Sequence, residues 1–296
     1  MKFGSVTNPE TIDFTLPKDP SEVKNVLSKS GNNSAPKIYV GCAKWNKTDL
    51  KGFYPRGTKD ELQYYATQFN SIEMNATFYR IFPPEQFTKW YEKTPENFKF
   101  FPKLNQEISH WKRLSEVSEV VQHFLYSAVH LKEKLGTVFL QMHNNFSPKD
   151  FSRVVTFIED WPKEIPLAVE FRHTQWYNDT SVSNELYHLL ESYNVANVLV
   201  DTAGRRDLLH MRLTNPTAFI RYVGANHQSD YHRLDQWVER LTQWKEQGIK
   251  EIAFFVHQNI EKASPLLSAH FIKKLNESIE SQLHIPVMAN PETSLY

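Results

Sequence analysis

The chain has 296 residues, of which 40% are hydrophobic and 14% are aromatic, and its 34 Lys and Arg residues balance 34 Asp and Glu residues. This composition excludes a disordered chain, and the length fits one α/β barrel of about 250 residues or two ordinary domains. The formal net charge is zero, so the chain lacks the excess of basic residues that is typical of proteins that coat duplex nucleic acid.

The cysteine count and the apolar segments of the sequence restrict the cellular compartment and the redox chemistry that we expect for this protein. Cys42 is the one cysteine, so an internal disulfide framework and a cysteine-rich zinc module are excluded. The longest apolar runs, such as residues 252–256, are too short to span a bilayer, and the N-terminus lacks a signal-peptide pattern. We therefore expect a cytoplasmic protein with no membrane partner, in which Cys42 is packed rather than reactive.

The first 36 residues have the composition of a linker, with four prolines and little periodicity. We interpret residues 1–36 as an N-terminal arm packed loosely on the domain, in which residues 22–27 form one or two helical turns. The periodic part of the chain predicts a single domain over residues 37–283, followed by a C-terminal tail over residues 284–296.

Eight short apolar or β-branched runs follow the arm, and each has the length of a β-strand. Thr58 and Glu61 form a capping-box pattern between two of them, and Gly136 and Gly248 end two apolar helical stripes. The connection over residues 201–218 has the weakest helical pattern. The strand candidates are residues 38–42, 71–75, 98–103, 137–141, 167–171, 196–200, 218–222 and 252–256.

Strands separated by helices predict a parallel sheet, because parallel neighbours need long crossovers. Eight is also the number of strands that closes a (β/α)8 barrel. The alternative is a doubly wound open sheet, which usually carries a glycine-rich phosphate turn after its first strand; residues 41–45 are not such a turn. The predicted fold class is therefore α/β, a (β/α)8 TIM-like barrel of parallel strands in a single domain with an N-terminal extension.

Polar side chains stand at the carboxyl ends of seven of the runs, where parallel α/β folds build their sites. Alternate residues of a strand face opposite sides, so these pairs should converge while their apolar neighbours face the helices. Structural ion pairs such as Glu170–Arg172 and Glu73–Lys103 are the alternative explanation. The polar residues are Glu73, Asn75, Lys103, Gln141, His143, Glu170, Arg172, Asp201, Arg221, His257 and Asn259. The outward neighbours are Leu140, Met142, Val169, Phe171, Phe254 and Val256.

Residues 69–80, which read FNSIEMNATFYR, resemble a signature of the YecE-like family, domain of unknown function seventy-two. Further similarity lies in residues 41–45, 52–55, 90–100, 109–114 and 170–176. The resemblance extends from about Ile38 to about Leu275 and implies a TIM-like barrel of bacterial occurrence, but no reaction. His143 and His257 depart from the family pattern. The positions that match it are Glu73, Asn75, Phe78, Tyr79, Lys103, His110, Gln141, Glu170, Arg172, His173, Asp201, Arg221 and Asn259.

Cations and carboxylates at one edge favour an enzyme acting on a small polar substrate, anionic or sugar-like, by hydrolase, lyase or isomerase chemistry. Basic side chains would bind anionic oxygens, Glu170 or Glu73 would be the general base, and His110 the acid. The predicted catalytic residues are Glu73, Lys103, His110, Glu170, Arg172 and Asp201. The predicted substrate-binding residues are Trp45, Asn75, Tyr79, Gln141, His173, Trp176, Arg221 and Asn259, of which the aromatic ones would wall the pocket.

Three alternatives stay open at this point. The residues His143, Glu170, Asp201 and His257 have the chemistry of divalent-metal ligands, although nearby Lys and Arg would repel a cation, so a metal is not favoured and the cofactor is unknown. Nucleic-acid binding has weak support from residues 110–114 and 205–206. A non-catalytic ligand-binding barrel would use the same residue types. The sequence gives no oligomeric state.

Overall fold

The computed structural model describes residues 4–29, 31 and 35–289 of the chain. Nine strands lie within these ranges, and each of the eight predicted runs overlaps at least one of them. The sixth run is divided at Val198, because its second part pairs with a different neighbour. The strands are β1 (Lys37–Cys42), β2 (Ser71–Met74), β3 (Lys99–Pro102), β4 (Val138–Gln141), β5 (Leu167–Glu170), β6 (Ala196–Asn197), β7 (Leu199–Thr202), β8 (Thr217–Gly224) and β9 (Glu251–Gln258).

Helices fill most of the connections between the strands. Some predicted boundaries were wrong: Asp60 caps α2 by accepting a hydrogen bond from the Gln63 N–H at 3.0 Å, and the stripe before Gly136 breaks at Lys132, where φ is 52°. Gly248 ends its helix in the left-handed region as predicted, with φ at 108°. The helices are α1 (Ser21–Ser28), α2 (Glu61–Gln68), α3 (Ala76–Tyr79), α4 (Pro84–Glu92), α5 (Ser118–Ala128), α6 (Phe151–Glu159), α7 (Gln175–Asn178), α8 (Thr180–Ser192), α9 (Ser229–Gln247) and α10 (Ser264–Ile279).

All the strand pairs are parallel, in three hydrogen-bonded sheets with the orders β1-β9-β8-β7, β2-β3 and β4-β5-β6. Isolated contacts join neighbouring sheets. Lys103 forms a single parallel bridge with Phe139, and the Asn70 side chain accepts from the Val40 N–H at 3.0 Å and donates to the Ile38 carbonyl at 2.7 Å. The predicted α/β fold with parallel strands is therefore confirmed, and the ladders do not run continuously from sheet to sheet.

The strands separate two layers of buried side chains, because alternate residues face opposite sides. One layer, which we call the enclosed layer, is small and is built from buried residues of all three sheets, with Phe101 and Phe255 in contact at 4.9 Å between ring centroids. It consists of Phe101, Phe139, Ala168, Ala196, Val198, Val200, Phe219, Ala253 and Phe255. The larger layer lies between strands and helices and contains every residue that was predicted to face outward, namely Leu140, Met142, Val169, Phe171, Phe254 and Val256. The predicted parity of these strands is confirmed.

The described part of the N-terminal arm is firmly packed, so the expectation of a loose arm was wrong. Residues 22–27 do form helical turns within α1, and Val23 and Leu27 are fully buried in the larger core layer. Before α1, Asp19 accepts a hydrogen bond from the Trp244 indole N–H at 2.8 Å and pairs with Arg240. Burying aliphatic side chains at about 1.5–3 kcal/mol each gives the arm a substantial role in stability.

The described part of the C-terminal tail also touches the domain, since the Val287 N–H donates to the Gln68 side chain at 3.0 Å. Residues 290–296 of the predicted tail, like residues 1–3, 30 and 32–34 of the arm, lie outside the described residues. None of the helices in the described ranges combines the length and apolar character that crossing a bilayer requires.

Candidate functional site

The carboxyl ends of strands from all three sheets bring polar side chains together. In β4, β5, β8 and β9 an ionisable or amide residue comes two positions after an apolar residue of the enclosed layer. Because alternate residues share a face, this polar side chain extends the same face beyond the core. Lys103 follows Phe101 in the same way, and Glu73 comes from β2. Together with Arg172 these residues form the strand-end cluster: Glu73, Lys103, Gln141, Glu170, Arg172, Arg221 and His257.

Arg221 lies at the centre of the strand-end cluster and is almost completely buried. Its guanidinium donates from Nε and Nη2 to the two oxygens of Glu73, at 2.8 and 2.7 Å, and from Nη1 to Glu170 Oε2 at 2.6 Å. Burial alone would lower its pKa, but the two carboxylates outweigh burial and raise the pKa above its ordinary value. Arg221 is therefore a permanent cation whose charge is neutralised within the protein.

Glu170 is held by side chains on three sides. Arg172 Nε donates to its Oε1 at 2.5 Å, the Gln141 amide donates to both oxygens at 3.0 Å, and Arg221 donates to Oε2. Burial raises the pKa of Glu170, but Arg172 and Arg221 outweigh that effect and lower it to about 2. At neutral pH Glu170 is consequently a carboxylate with little tendency to accept a proton.

Glu73 carries two further partners besides Arg221. Asn75 donates its amide N–H to Oε1 at 2.7 Å, and His257 Nε2 lies 2.9 Å from Oε2. Burial opposes ionisation here too, but Arg221 and His257 hold the pKa of Glu73 well below its ordinary value. Both glutamates of the strand-end cluster are thus ionised and positioned by cations.

Lys103 has an unusual environment for a buried amine. Its Nζ lies 2.7 Å from Gln141 Oε1 and 4.1 Å from the centre of the Phe78 ring. Among the residues that the structure describes, no carboxylate oxygen pairs with this Nζ within 4.0 Å. Burial, then Arg221 and Arg172, lower the pKa of Lys103 well below its ordinary value. Burial and the two neighbouring guanidinium groups thus favour the uncharged form of this amine.

His110 approaches Lys103 from a short π-helix, Glu107–Trp111, that follows β3. The turn is tied to α3 through Asn105, which accepts from the Glu107 N–H at 3.0 Å and donates to the Phe78 carbonyl at 3.1 Å. Burial, followed by the charge of Lys103, lowers the pKa of His110 to about 4. At neutral pH the ring is uncharged, so it can accept a proton but does not begin as an acid.

The ring of His110 is fixed by neighbours on both sides. Its Nδ1 lies 2.8 Å from the Ser109 hydroxyl, and the rings of Phe78 and His143 stand edge to face with it, at 4.8 and 5.2 Å between centroids. The roles of Phe78 and Ser109 in this arrangement were missed by sequence reasoning about function. Phe78 matched the family pattern, and its position three residues after Asn75 was the sequence feature that could have indicated a role in the site.

Asp201 does not join the strand-end cluster. Its carboxylate faces α9, where it accepts from Arg233 Nη2 and from the Trp237 indole N–H, both at 2.8 Å, and pairs with Arg206. The physical reason is parity, because Val200 belongs to the enclosed layer and Asp201 therefore points the other way. The structure gives this carboxylate the contacts of a structural ion pair.

The aromatic residues that were predicted to wall the pocket have different environments from one another. Trp176 is fully buried and donates its indole N–H to the Phe146 carbonyl at 2.7 Å, so it cannot wall an open pocket. Trp45 packs edge to face on Trp90, with 6.1 Å between centroids. Tyr79, in contrast, is 70% exposed.

Two further predicted residues lie at strand ends. His173 follows β5 and accepts the Gln175 N–H at 3.3 Å through its Nδ1, which shapes the turn before α7. Asn259 directly follows β9 and is partly buried.

The alternative metal ligands are not brought together. Glu170 is saturated by Arg172, Arg221 and Gln141, whereas Asp201 bonds to residues of α9. Within residues 4–29, 31 and 35–289, no three His, Cys, Asp or Glu side chains are grouped so that they could hold a metal ion.

Comparisons with known sequences agree with the resemblance noted from the motifs. The UPF0759 protein YecE of Escherichia coli strain K12 is 28% identical over 229 residues, which are 70% of this chain and 82% of that protein. The UPF0759 protein YunF of Bacillus subtilis strain 168 is 30% identical over 154 residues, covering 48% of this chain and 52% of that protein.

Solved structures extend the similarity to the fold. A DUF72 family protein from Enterococcus faecalis V583 has a TM-score of 0.67 at 20% identity, covering 83% of this chain and 99% of that one. A DUF72 family protein from Thermotoga maritima MSB8 has a TM-score of 0.66 at 25% identity, covering 81% and 99%. The model of the family described as protein of unknown function DUF72 matches residues 39–292, and the chain therefore belongs to this family.

Proposed function

We propose that this protein is an enzyme that acts on a small anionic substrate bound at the strand-end cluster. One observation carries the proposal: the buried amine of Lys103 contacts a neutral amide oxygen instead of a carboxylate, although two cationic guanidinium groups are close to it. Arg172 and Arg221 are balanced by the two carboxylates of this cluster, so protonation of Lys103 would add one positive charge that a bound anion would balance.

The contacts divide the cluster into supporting and substrate-facing groups. Arg221 is neutralised by both glutamates, and Glu170, with a pKa of about 2, is a weak base. We therefore assign these residues to positioning, which revises the base role expected for Glu170 from sequence. Lys103 and Arg172 are assigned to the anion, and uncharged His110 to proton transfer.

We also infer that the three sheets are segments of a (β/α)8 barrel-like wall, with residues 37–283 as its extent. Support comes from the enclosed layer, where Phe139 of the third sheet contacts Phe219 of the first at 5.3 Å between ring centroids. The bridge between Lys103 and Phe139 and the Asn70 bonds to β1 lie at two of the junctions between the sheets. Such an arrangement would place the cluster where barrel enzymes carry their sites.

The proposal is tested by thermal unfolding against a panel of carboxylates, sugar phosphates and inorganic phosphate. A ligand present at 100 times its Kd should stabilise the protein by about 2.7 kcal/mol. We expect a stabilising anion whose effect is lost in Lys103→Met and in Arg172→Ala, and retained in Lys44→Met. Lys44 pairs with Asp49 at an exposed position. Stabilisation that is equal in all four proteins, or none with any anion, contradicts the proposal.

Turnover distinguishes an enzyme from a non-catalytic binding protein with the same site. Once an anion of the panel binds, its chemical conversion is followed by nuclear magnetic resonance with wild type and with His110→Gln. Conversion that falls in the variant while binding persists supports catalysis. Binding without any conversion favours the non-catalytic alternative.

A specific observation also favours a second candidate, binding of single-stranded nucleic acid. Trp111 is 67% exposed beside Lys112 and Arg113, and exposed aromatic rings next to basic groups stack on bases. Lys112, however, already pairs with Glu107 at 3.5 Å. Fluorescence anisotropy with a labelled oligonucleotide at low salt tests this candidate: binding that Trp111→Ala abolishes would support it, and no binding would reject it.

A further inference from the structure

We infer that Lys103 is a covalent nucleophile, whose amine forms an imine with the carbonyl carbon of a small oxo acid or oxo phosphate held by Arg172. The covalent step rests on the function proposed above, because it uses the same anion site. It adds a substrate class, namely a carbonyl compound with an anionic group, and a chemical role for one residue.

The first support is a comparison of two buried lysines. Lys134 Nζ has three oxygen acceptors, the Tyr91 and Thr94 carbonyls at 2.7 and 2.6 Å and the Thr94 hydroxyl at 3.4 Å. These match the three donors of an ammonium group. Lys103 is 7% exposed and has one acceptor within hydrogen-bond distance among the described residues, Gln141 Oε1. Its surroundings thus suit an uncharged amine with an available lone pair.

The second support is the fixed orientation of Gln141. Its amide nitrogen is committed to both oxygens of Glu170, at 3.0 Å each, so its carbonyl oxygen must face Lys103. That oxygen accepts one N–H of the amine and leaves the lone pair directed elsewhere. Burial next to cationic groups is the established means of activating a lysine nucleophile, and here the neighbouring cations Arg221 and Arg172 lower the pKa of Lys103 in addition to burial.

The third support is a proton carrier beside the amine. His110 and Lys103 both contact the Phe78 ring, at 4.8 and 4.1 Å from its centroid. Because its pKa is about 4, His110 is uncharged near neutral pH and can accept a proton from the attacking amine. The amine and the imidazole therefore lie against the same ring, and the charge of Arg172 acts on both of them.

The reaction balances without an added oxidant or reductant. The nitrogen lone pair forms a bond to the carbonyl carbon, the π electrons move to the carbonyl oxygen, and the nitrogen proton passes through His110 to that oxygen. Loss of the hydroxyl group with a second proton as water then leaves the C=N bond. When the imine is protonated, its positive charge is balanced by the anionic group of the substrate. A protonated imine of this kind accepts the electrons of a bond that its neighbouring carbon atom makes to the next carbon, and cleavage of that bond to give an enamine fits the lyase class.

The test is reductive trapping on the intact chain. The protein is incubated with pyruvate or with dihydroxyacetone phosphate, treated with sodium borohydride, and analysed by intact mass and peptide mapping. Hydride adds to the imine carbon and makes the link to nitrogen permanent. We expect a single adduct on the peptide that contains Lys103, and the two probes separate carboxylate from phosphate recognition.

Variants provide matched controls. Lys103→Arg should lose the adduct completely, and Lys134→Arg should retain it; far-ultraviolet circular dichroism verifies that each is folded. Mapping on wild type keeps the test decisive even if a variant does not fold. No adduct with either probe, or an adduct spread over surface lysines, overturns the covalent role.

Failure of the covalent step is distinguishable from failure of the anion site. Lactate and glycerol 3-phosphate keep the anionic groups of the two probes but lack the carbonyl. If an analogue stabilises the wild type but not Arg172→Ala, and the matching probe is not trapped, the anion site is supported and the imine is rejected. Trapping at Lys103 that the analogue suppresses supports both together.

Discussion

Arg221 binds Glu73 through two parallel hydrogen bonds, from Nε to Oε2 at 2.8 Å and from Nη2 to Oε1 at 2.7 Å. Arg221 belongs to β8 and Glu73 to β2, which lie in different sheets. The third bond of the same guanidinium reaches Glu170 in the remaining sheet at 2.6 Å. One cation thus joins the carboxyl ends of all three sheets, which gives the strand-end cluster a structural role besides the proposed chemical one.

Replacing Arg221 with methionine should strongly destabilise the protein. The change leaves two buried carboxylates close together without their shared cation, and breaking a buried pair in this way typically costs about 3–5 kcal/mol. Urea unfolding followed by circular dichroism measures the loss. Lys44→Met is the control, because its pair with Asp49 is largely solvated and should contribute about 0–1 kcal/mol. Equal stability of the two variants would contradict the structural role.

Acid should destabilise the protein through the two glutamates. The pKa of Glu170 is lowered to about 2 and that of Glu73 is lowered as well, so both release protons more readily in the folded state. Their contribution is complete above the unfolded pKa of about 4.3 and is lost as the pH falls toward the folded pKa. The free energy of unfolding, measured from about pH 5 to about pH 3, should fall less steeply in Glu170→Gln. An unchanged slope would count against the assigned ion pairs.

His110 should add a separate pH dependence at higher pH. Its pKa falls from 6.5 to about 4 on folding, so the unfolded chain binds the proton more readily and stability declines as the pH drops through this interval. In His110→Gln the decline between these pH values should be smaller, as measured by thermal unfolding. The exposed His123 offers a control: His123→Gln should keep the wild-type profile, and a loss of slope there instead would refute the assignment.

Asp201→Asn should reduce stability without reducing anion binding. The asparagine keeps the shape but removes the charge that balances buried Arg233 at 2.8 Å, and we expect a loss of about 3 kcal/mol. Chemical unfolding measures stability, and the shift caused by the stabilising anion measures binding. A variant of normal stability that no longer responds to the anion would restore the catalytic role that the sequence suggested for Asp201.

The sequence predicted the strands and most of the cluster because both follow a local rule. Gln141, Glu170 and Arg221 each come two residues after an apolar residue of the enclosed layer, and that spacing is visible without a structure. The same rule could have excluded Asp201, which follows Val200 by one position. Parity thus determines which strand-end residues can meet.

Other features depend on contacts that no local pattern contains. Trp176 is buried because Phe146 and Phe171, from separate segments, stack against it at 5.9 and 4.3 Å between centroids. The pKa of His110 depends on burial and then on Lys103 and His143, which reach it only after folding. The arm had a linker's composition, yet four of its apolar residues are buried, namely Phe14, Val23, Val26 and Leu27.

Leu27→Ala tests whether the arm is an integral part of the fold. Leu27 is fully buried in the larger core layer, and truncating a buried leucine typically costs about 2–5 kcal/mol through lost transfer energy and the cavity left behind. Ile260, which is 66% exposed, is the matched aliphatic control, and Ile260→Ala should change stability by about 0.5 kcal/mol or less. Both values come from urea unfolding. We expect a large loss that is confined to Leu27→Ala; if Leu27→Ala is as mild as Ile260→Ala, the packing of the arm contributes little to stability.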